Sequence, residues 1–550
     1  EGVTQAGSQG SVTVTGTGGT STGNGNIGVL INDSNSKITS AGGNVSVTGQ
    51  GGGTGESESG CGVKVNGGGV ITAGGTGSVT VTGTGGVGTG DENYGVYVSN
   101  TNSTITSSGG NVTVTGQGGG SDNSSSNIGV VVSGAASVAA GGNGNTRLNG
   151  TGGLADGPSN YGISLWHENT LVTSAGGDVI LNGKGGGSGA SSNNHGLFVA
   201  AGTITAGGSG SVTVTGTGGN SEGDSNKGVR LVNGDALITS SGGDVTVTGQ
   251  GGGTGSSGHN YGVNIVSGGK ITGNGSSILN ISGTGGSSTG VRNKGVVIVD
   301  GSVVSTAAGR LNIDGVGGPF NGDSYTGVDI RDAETKVTTT GGDLNVQGTG
   351  GGSNDENIDA RWNIGVRVGT GAVLATCNGG NTTVVGYGGV TESEENIGVQ
   401  VIGVNAIISG CGGDVTVNGF AGTIGDSFNG TGVLVDDAGE ISTTGSGSVR
   451  ITGVGSKATG DGNRGIAIET DGARVSTVNG NIYLTGRADG SGNSGSGVGI
   501  SVETQDINKT AGIVEATGTG NIFPRHAVDQ LEMDIAHAGR DRAAPAPPTL

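Results

Sequence analysis

The eleven residues Gly110 to Gly120, GNVTVTGQGGG, return almost unchanged at Gly43 to Gly53 and at Gly243 to Gly253, at offsets of 67 and 133 residues. Self-similarity at a fixed interval limits a chain to stacked or arrayed units more strongly than any other sequence feature. A marker glycine in the pattern Gly-Val-x-Val, or its variants, extends the rule. It stands at Gly28, Gly62, Gly95, Gly129, Gly162, Gly196, Gly228, Gly262, Gly295, Gly327, Gly365, Gly398, Gly432, Gly465 and Gly499. These fifteen markers are 32 to 34 residues apart, with one interval of 38. The 67-residue offset is two units, because two types alternate. One reads S-x-G-G-[ND]-V, as at Gly42 to Val45. The other reads G-S-V-T-V-T-G-T-G-G, as at Gly77 to Gly86 and Gly210 to Gly219.

Each unit carries three strand signals. The first is Gly-apolar-x-apolar (Gly95 to Val98), the second a short I-T step (Ile105-Thr106), and the third V-T-V-T-G (Val112 to Gly116). Period-two alternation puts Val96, Val98, Val112 and Val114 on one side, with Thr113 and Thr115 on the other. Gly-rich and Asn/Asp/Ser-rich stretches separate the strands, and no unit has an amphipathic helix. Three strands per turn with corners between them describe one coil of an all-β, single-stranded parallel β-helix, or β-solenoid. The expectation is about fifteen coils of 32–38 residues over 1–520. At a spacing of about 4.8 Å per coil, the rod would be about 70 Å long. No coil buries enough to fold alone, so stacking must stabilise it. Glycine is expected at the corners, where the backbone needs positive φ.

The remaining composition fits a thin core: 133 glycines, 30% hydrophobic and 3% aromatic residues in 550. Glycine has no strict every-third period, which excludes collagen. A net charge of −20 repels phosphate backbones and argues against nucleic-acid partners. No apolar run is long enough for a transmembrane helix, and no signal peptide is visible. The chain starts mid-coil, which raises the expectation that more repeats, or a secretion or anchoring domain, lie outside it. After about Gly520 the pattern stops. Residues 521–550 hold four of the six prolines and read as a non-repeat tail, with a short helix at 527–538 and a Pro/Ala-rich linker.

Two residues before the marker stand Asn26, Asn93, Asn127, Asn160, Asn194, Asn226, Asn260, Asn293, Asn363, Asn396 and Asn463. Stacked, they would form an amide ladder from coil to coil. The alternative is that Asn suits a turn entering the strand. The longest unit inserts a loop with Asp355, Glu356, Asp359, Arg361 and Trp362, a candidate ligand loop. The plainer reading is a solvated bulge. Outward threonines form T-x-T pairs at Thr13/Thr15, Thr80/Thr82 and Thr113/Thr115, a candidate ice-binding array or simply strand-favouring residues.

Chemistry is otherwise sparse. Acids such as Asp91, Glu92, Glu222, Asp224, Glu394 and Glu395 scatter through one corner. They serve solubility, with weak Ca²⁺ binding as a looser reading, although the nine-residue calcium repeat is missing. No cofactor is called for. His167, His195 and His259 share no ligand spacing and read as lone surface side chains. Cys61, Cys377 and Cys411 are too few for a disulfide framework. Cys377 and Cys411 are 34 residues apart, about one coil. They read as small buried thiols, or as a bond between neighbouring coils. No catalytic cluster of the kind used by polysaccharide-cleaving β-helices is visible.

The phrases G-V-x-V and I-T-S-x-G-G-N-V-T-V-T-G-Q-G-G-G, with the Asn-Tyr-Gly corners, resemble glycine-rich passenger repeats of bacterial surface proteins. These are the filamentous-haemagglutinin-like and autotransporter adhesins, and the resemblance covers about Gly2 to Gly520. It implies a right-handed β-helix, export to the medium or the bacterial cell surface, and a non-enzymatic role as adhesin stalk or displayed surface. The implied partner is a host or neighbouring cell surface, through a glycan or matrix component. Two other functions stay open: a polysaccharide-binding or polysaccharide-cleaving β-helix, and ice binding.

Overall fold

The computed structural model describes residues 2–7, 9–320, 323–352, 361–390, 395–422, 429–457, 461–470, 472–489, 497–503, 513–516, 522–526 and 532–533. Among them the chain is all-β. Three sheets of 16 parallel strands run the length of a solenoid, and each strand pairs with its equivalents one coil away. One coil holds a first strand Val96–Ser99, a second Thr104–Ser107 and a third Val112–Gln117. The next coil repeats them at Val130–Ser133, Ser137–Ala140 and Thr146–Thr151.

The register follows the sequence repeat. Val112 lies between Val79 and Thr146, and Gly116 between Gly83 and Gly150. Val96, Val98, Ile105, Val112 and Val114 are fully buried, as their alternation requires. One continuous core runs from Val12 to Val502. Differences in coil length are taken up outside the strands. Across the 38-residue interval, Asp329 still pairs with Arg367 and Leu344 with Thr382.

The pattern also continues past residue 520. Ile522–His526 pairs with the third strand before it, and Glu532–Met533 with Ser501 and Val502. Of the helix expected at 527–538, only Glu532 and Met533 are described, and there the chain is an extended strand. The expected linker lies outside the described residues.

The glycines do not serve mainly as positive-φ hinges. Gly116, Gly118 and Gly119 have ordinary backbone angles. What they lack room for is a Cβ. On Gly116 it would lie 1.9 Å from the Gly129 carbonyl oxygen, on Gly118 2.2 Å from that of Asn127, and on Gly119 1.9 Å from that of Gly86. The chain therefore leaves the three sheets at Gly118 and returns at Asn127 through a neck of touching backbones, and the arm between them stacks on its neighbours through bonds such as Gly120 N–H to the Gly86 carbonyl at 2.7 Å. Of the five glycines of the phrase only the last, Gly120, is left-handed (φ 78°). Much of the left-handed backbone falls instead to polar residues at the turns, such as Asn100, Asn102 and Ser126.

The alternation of two coil types has an interior cause. In one type, a buried serine ends the second strand and donates to the carbonyl three residues on: Ser40 to Gly43, Ser107 to Gly110, Ser174 to Gly177 and Ser240 to Gly243. In the coils between, buried Ala73, Ala140 and Ala206 fill that place.

Candidate functional site

The asparagine column is buried and continuous over seven coils. Asn93, Asn127, Asn160, Asn194, Asn226, Asn260 and Asn293 are fully buried. Asn160 Oδ1 accepts from Asn127 N at 3.0 Å, Asn194 Oδ1 from Asn160 N at 3.0 Å, and Asn226 Oδ1 from Asn194 N and Nδ2, both at 3.0 Å. Several amides also hold their own arm: Nδ2 of Asn93, Asn160 and Asn226 donates to Gly90, Gly157 and Gly223 carbonyls at 2.6–2.7 Å. Ladder and turn are thus one device. Where the column lacks asparagine, the backbone keeps the bond. Gly60, Tyr325 and Gly430 N–H groups donate to Asn93, Asn363 and Asn463 Oδ1 at 2.8–3.1 Å. Asn396 is buried, while Asn26 is half-exposed.

A second polar column, not foreseen, precedes the third strand. Asn145 N donates to Asn111 Oδ1, Asp178 N to Asn145 Oδ1 and Ser211 N to Asp178 Oδ1, at 2.8–2.9 Å. Its polarity is opposite: the later coil donates here, whereas it accepts in the first column. The [ND] of S-x-G-G-[ND]-V was its sequence signal. Both columns are scaffolding.

The threonine pairs are in register: Thr13 beside Ser46, Ser46 beside Thr80, Thr80 beside Thr113, and likewise Thr15, Thr48, Thr82 and Thr115. Arg147 and Asn149 end the run. Thr13, Thr15 and Thr80 are exposed, and Thr82, Thr113 and Thr115 half-buried between their neighbours.

The feature that sequence reasoning missed lies on the outer face of the first strands. The residue before each marker glycine and the residue two after it form two columns: Tyr94/Tyr97, Ile128/Val131, Tyr161/Ser164, His195/Phe198, Lys227/Arg230, Tyr261/Asn264, Lys294/Val297, Thr326/Asp329, Ile364/Arg367, Ile397/Gln400, Thr431/Leu434 and Arg464/Ala467. The x of Gly-Val-x-Val points away from the core, yet Val131, Ser164, Asn264, Asp329 and Gln400 are buried. The two columns pack on each other as a second layer.

The layer changes character along the rod. Near its start it is aromatic and aliphatic, built on Tyr94, Ile128, Val131 and Tyr161. Next comes a basic stretch. His195 is not the surface side chain expected. It is fully buried, stacked on Tyr161 at 5.1 Å, with Lys227 N 3.3 Å from its Nδ1 and Arg230 3.3 Å from its Nε2. Burial, then Lys227 and Arg230, hold its pKa well below the usual histidine value. His259 is half-buried and His167 exposed. Lys227 caps the Tyr261 ring at 5.1 Å. Burial, with Arg230 adding repulsion, pushes Lys227 down to about 7.

Between about 7 and the ordinary lysine value of 10.5, the unfolded chain holds a proton on this residue that the folded chain has released. Stability should therefore rise with pH across that window. Lys227→Met should flatten the rise, read as the difference in denaturation midpoint between about pH 7 and about pH 9. Unchanged pH dependence would show that Lys227 stays charged.

Further on, Lys294 Nζ meets Asp329 Oδ2 at 2.5 Å, and Arg331 Nε the same oxygen at 3.3 Å. Burial raises the Asp329 pKa, but Lys294, Arg331 and Arg367 outweigh it and hold the carboxyl below its usual value.

Beyond this cluster the layer opens into a groove of about 520 Å³. Its floor is Ile364, Ile397 and Leu434. Its walls include Arg367, Gln400, Asp436 and the Arg464–Glu469 ion pair. At its rim stands Trp362, 49% exposed, with its indole N–H on the Glu395 carboxylate. Arg361 is held by its backbone N–H on Asp323 Oδ1 at 2.8 Å. Of the candidate loop, Asp355, Glu356 and Asp359 lie outside the described residues.

Among the described residues, five buried polar atoms on the two columns have no hydrogen-bond partner: Ser164 Oγ, Arg230 Nε, Asp329 Oδ1, Arg367 Nε and Arg464 Nε. Two of them, on Arg367 and Arg464, belong to groove residues.

Among the described residues no set of three metal-binding side chains occurs, and no helix is long and apolar enough to cross a membrane. Compared with family models, with curated proteins and with solved structures, the chain matches none of them.

Proposed function

We propose that the chain is a non-catalytic, exported solenoid of a bacterial surface, acting as stalk and adhesive display, and that the groove beneath Trp362 holds a glycan. The single observation that carries the reading is the groove's double character. An apolar floor, Ile364, Ile397 and Leu434, lies among the guanidinium groups of Arg367 and Arg464 and an exposed indole. A pyranose ring has the matching surface: one C–H face for apolar or aromatic contact, and hydroxyls for planar polar groups.

Binding is favoured over cleavage because the groove's carboxylates are already engaged. Glu469 is paired with Arg464, Asp436 accepts from Thr470, and Glu395 holds Trp362. A retaining or inverting hydrolase needs two carboxyl groups available to the sugar.

Glycan-array and calorimetric binding with the purified chain provide the test. Trp362→Ala and Arg367→Ala should each weaken binding of a captured glycan roughly tenfold or more, about 1.4 kcal/mol. The fold should be preserved by far-UV circular dichroism. Absence of glycan binding, or binding indifferent to both substitutions, removes the reading. Release of reducing ends from a polysaccharide panel would replace it with the cleaving alternative.

A further inference from the structure

The second and third cysteines of the chain meet on the surface. Cys377 directly follows the second strand Val373–Thr376, and Cys411 follows its neighbour Ile407–Gly410. Thr376 pairs with Gly410, so the next residues, both cysteines, stand side by side at the corner. Their sulfurs are 2.8 Å apart, closer than two unbonded sulfur atoms sit at ease. Parallel neighbours spaced by about 4.8 Å fall in the Cα separation of about 4.4–6.8 Å that a disulfide spans.

In the coils around them this corner position holds small or polar residues: Ser241, Asn274, Ala307 and Thr340 before, Thr444 after. Cys61 is buried elsewhere, in the outer layer of the first strands. Cys411 is exposed and Cys377 half-buried, so a small oxidant reaches the pair.

We propose that Cys377 and Cys411 close an intrachain disulfide, a covalent latch between two neighbouring coils. The oxidant is an external disulfide. One thiolate attacks it, forms a mixed disulfide and releases one external thiol. The second cysteine, losing its proton, displaces the other half as a second thiol. Two S–H groups are oxidised and one external disulfide is reduced to two thiols.

The contact with Cys377 and burial push the Cys411 thiol up to about 11, so closure should quicken as pH rises. The closed ring spans one coil of 34 residues. It joins the coil that carries Arg367 to the coil that carries Gln400, two walls of the groove. The latch depends on geometry alone and stands whether or not a glycan binds.

The test uses the full chain, reduced and then exposed to oxidised glutathione. Non-reducing peptide mapping should give one linked pair joining Cys377 to Cys411 in a monomer. After denaturation one thiol should remain, on Cys61. Cys377→Ser, checked as folded by circular dichroism, should lose the linked pair and keep glutathione on Cys411. Hydrogen exchange at Val373–Thr376 and Ile407–Gly410 should be at least tenfold slower in the oxidised than in the reduced chain. Lasting glutathione on both cysteines of the folded chain, chains linked to one another, thiols left unreacted, or equal exchange in both states would each overturn the latch.

Discussion

Gly116→Val is expected to break the stack at its coil, costing more than about 4 kcal/mol, among the largest effects of a single substitution. The reason is distance. The new Cβ would lie 1.9 Å from the carbonyl oxygen of Gly129, 2.5 Å from its carbonyl carbon and 2.8 Å from a methyl of Val130. These are backbone and core atoms that cannot swing aside. The same contact recurs at Gly83 against Gly95 and at Gly249 against Gly262, near 2 Å in both. Hydrogen exchange should show lost protection in the strands around Val112–Gln117, while distant coils keep theirs, because each coil touches mainly its neighbours. Gly234 offers the control. A Cβ there would meet nothing nearer than the Gly268 carbonyl oxygen at 4.0 Å, and Gly234→Ala should change stability by less than about 0.5 kcal/mol. If Gly116→Val melts like the parent, the glycines serve flexibility and the packing argument fails.

Asn194→Ala should cost on the order of 3 kcal/mol, from buried groups that cannot find water. It strips the Oδ1 that receives Asn160 N–H, and the Nδ2 that donates to Ser221 and Asn226. Asn160 itself is fully buried, so its N–H has no other recourse. Asn26→Ala, at a half-exposed position, should cost much less, since water replaces the lost partner. Equal effects at the two positions, by urea denaturation and exchange, would reduce the ladder to a turn preference.

The stack was legible because its causes are one-dimensional. A marker such as Gly95, repeated at Gly129, fixes the coil. The alternation Val112, Thr113, Val114 fixes which side faces inward. The asparagines could be read because Asn127 and Asn160 hold the same place in successive coils. The reason for the glycines was not legible: a 1.9 Å approach between Gly116 and Gly129 depends on a neck that only coordinates reveal. The groove was hidden for another reason. Ile364, Arg367, Gln400, Leu434 and Arg464 come from four coils, and no stretch of sequence contains them together. The clue was vertical. Reading the residues beside each marker glycine down the column shows tyrosines giving way to cations and then to isoleucines. The burial of His195 is not legible in sequence because Tyr161, on which it stacks, comes from the coil before it.

Uniform registration of three sheets also sets how such a rod answers tension. If its ends are drawn apart along the axis, the pull falls on the outermost turn, whose bonds to the next lie nearly along the load. They open in sequence, like a zipper. Each turn of about 33 residues would then release roughly 110 Å of extended chain at about 3.4 Å per residue. The rod would lengthen in many similar steps and dissipate work at each one, where a globular domain gives way once.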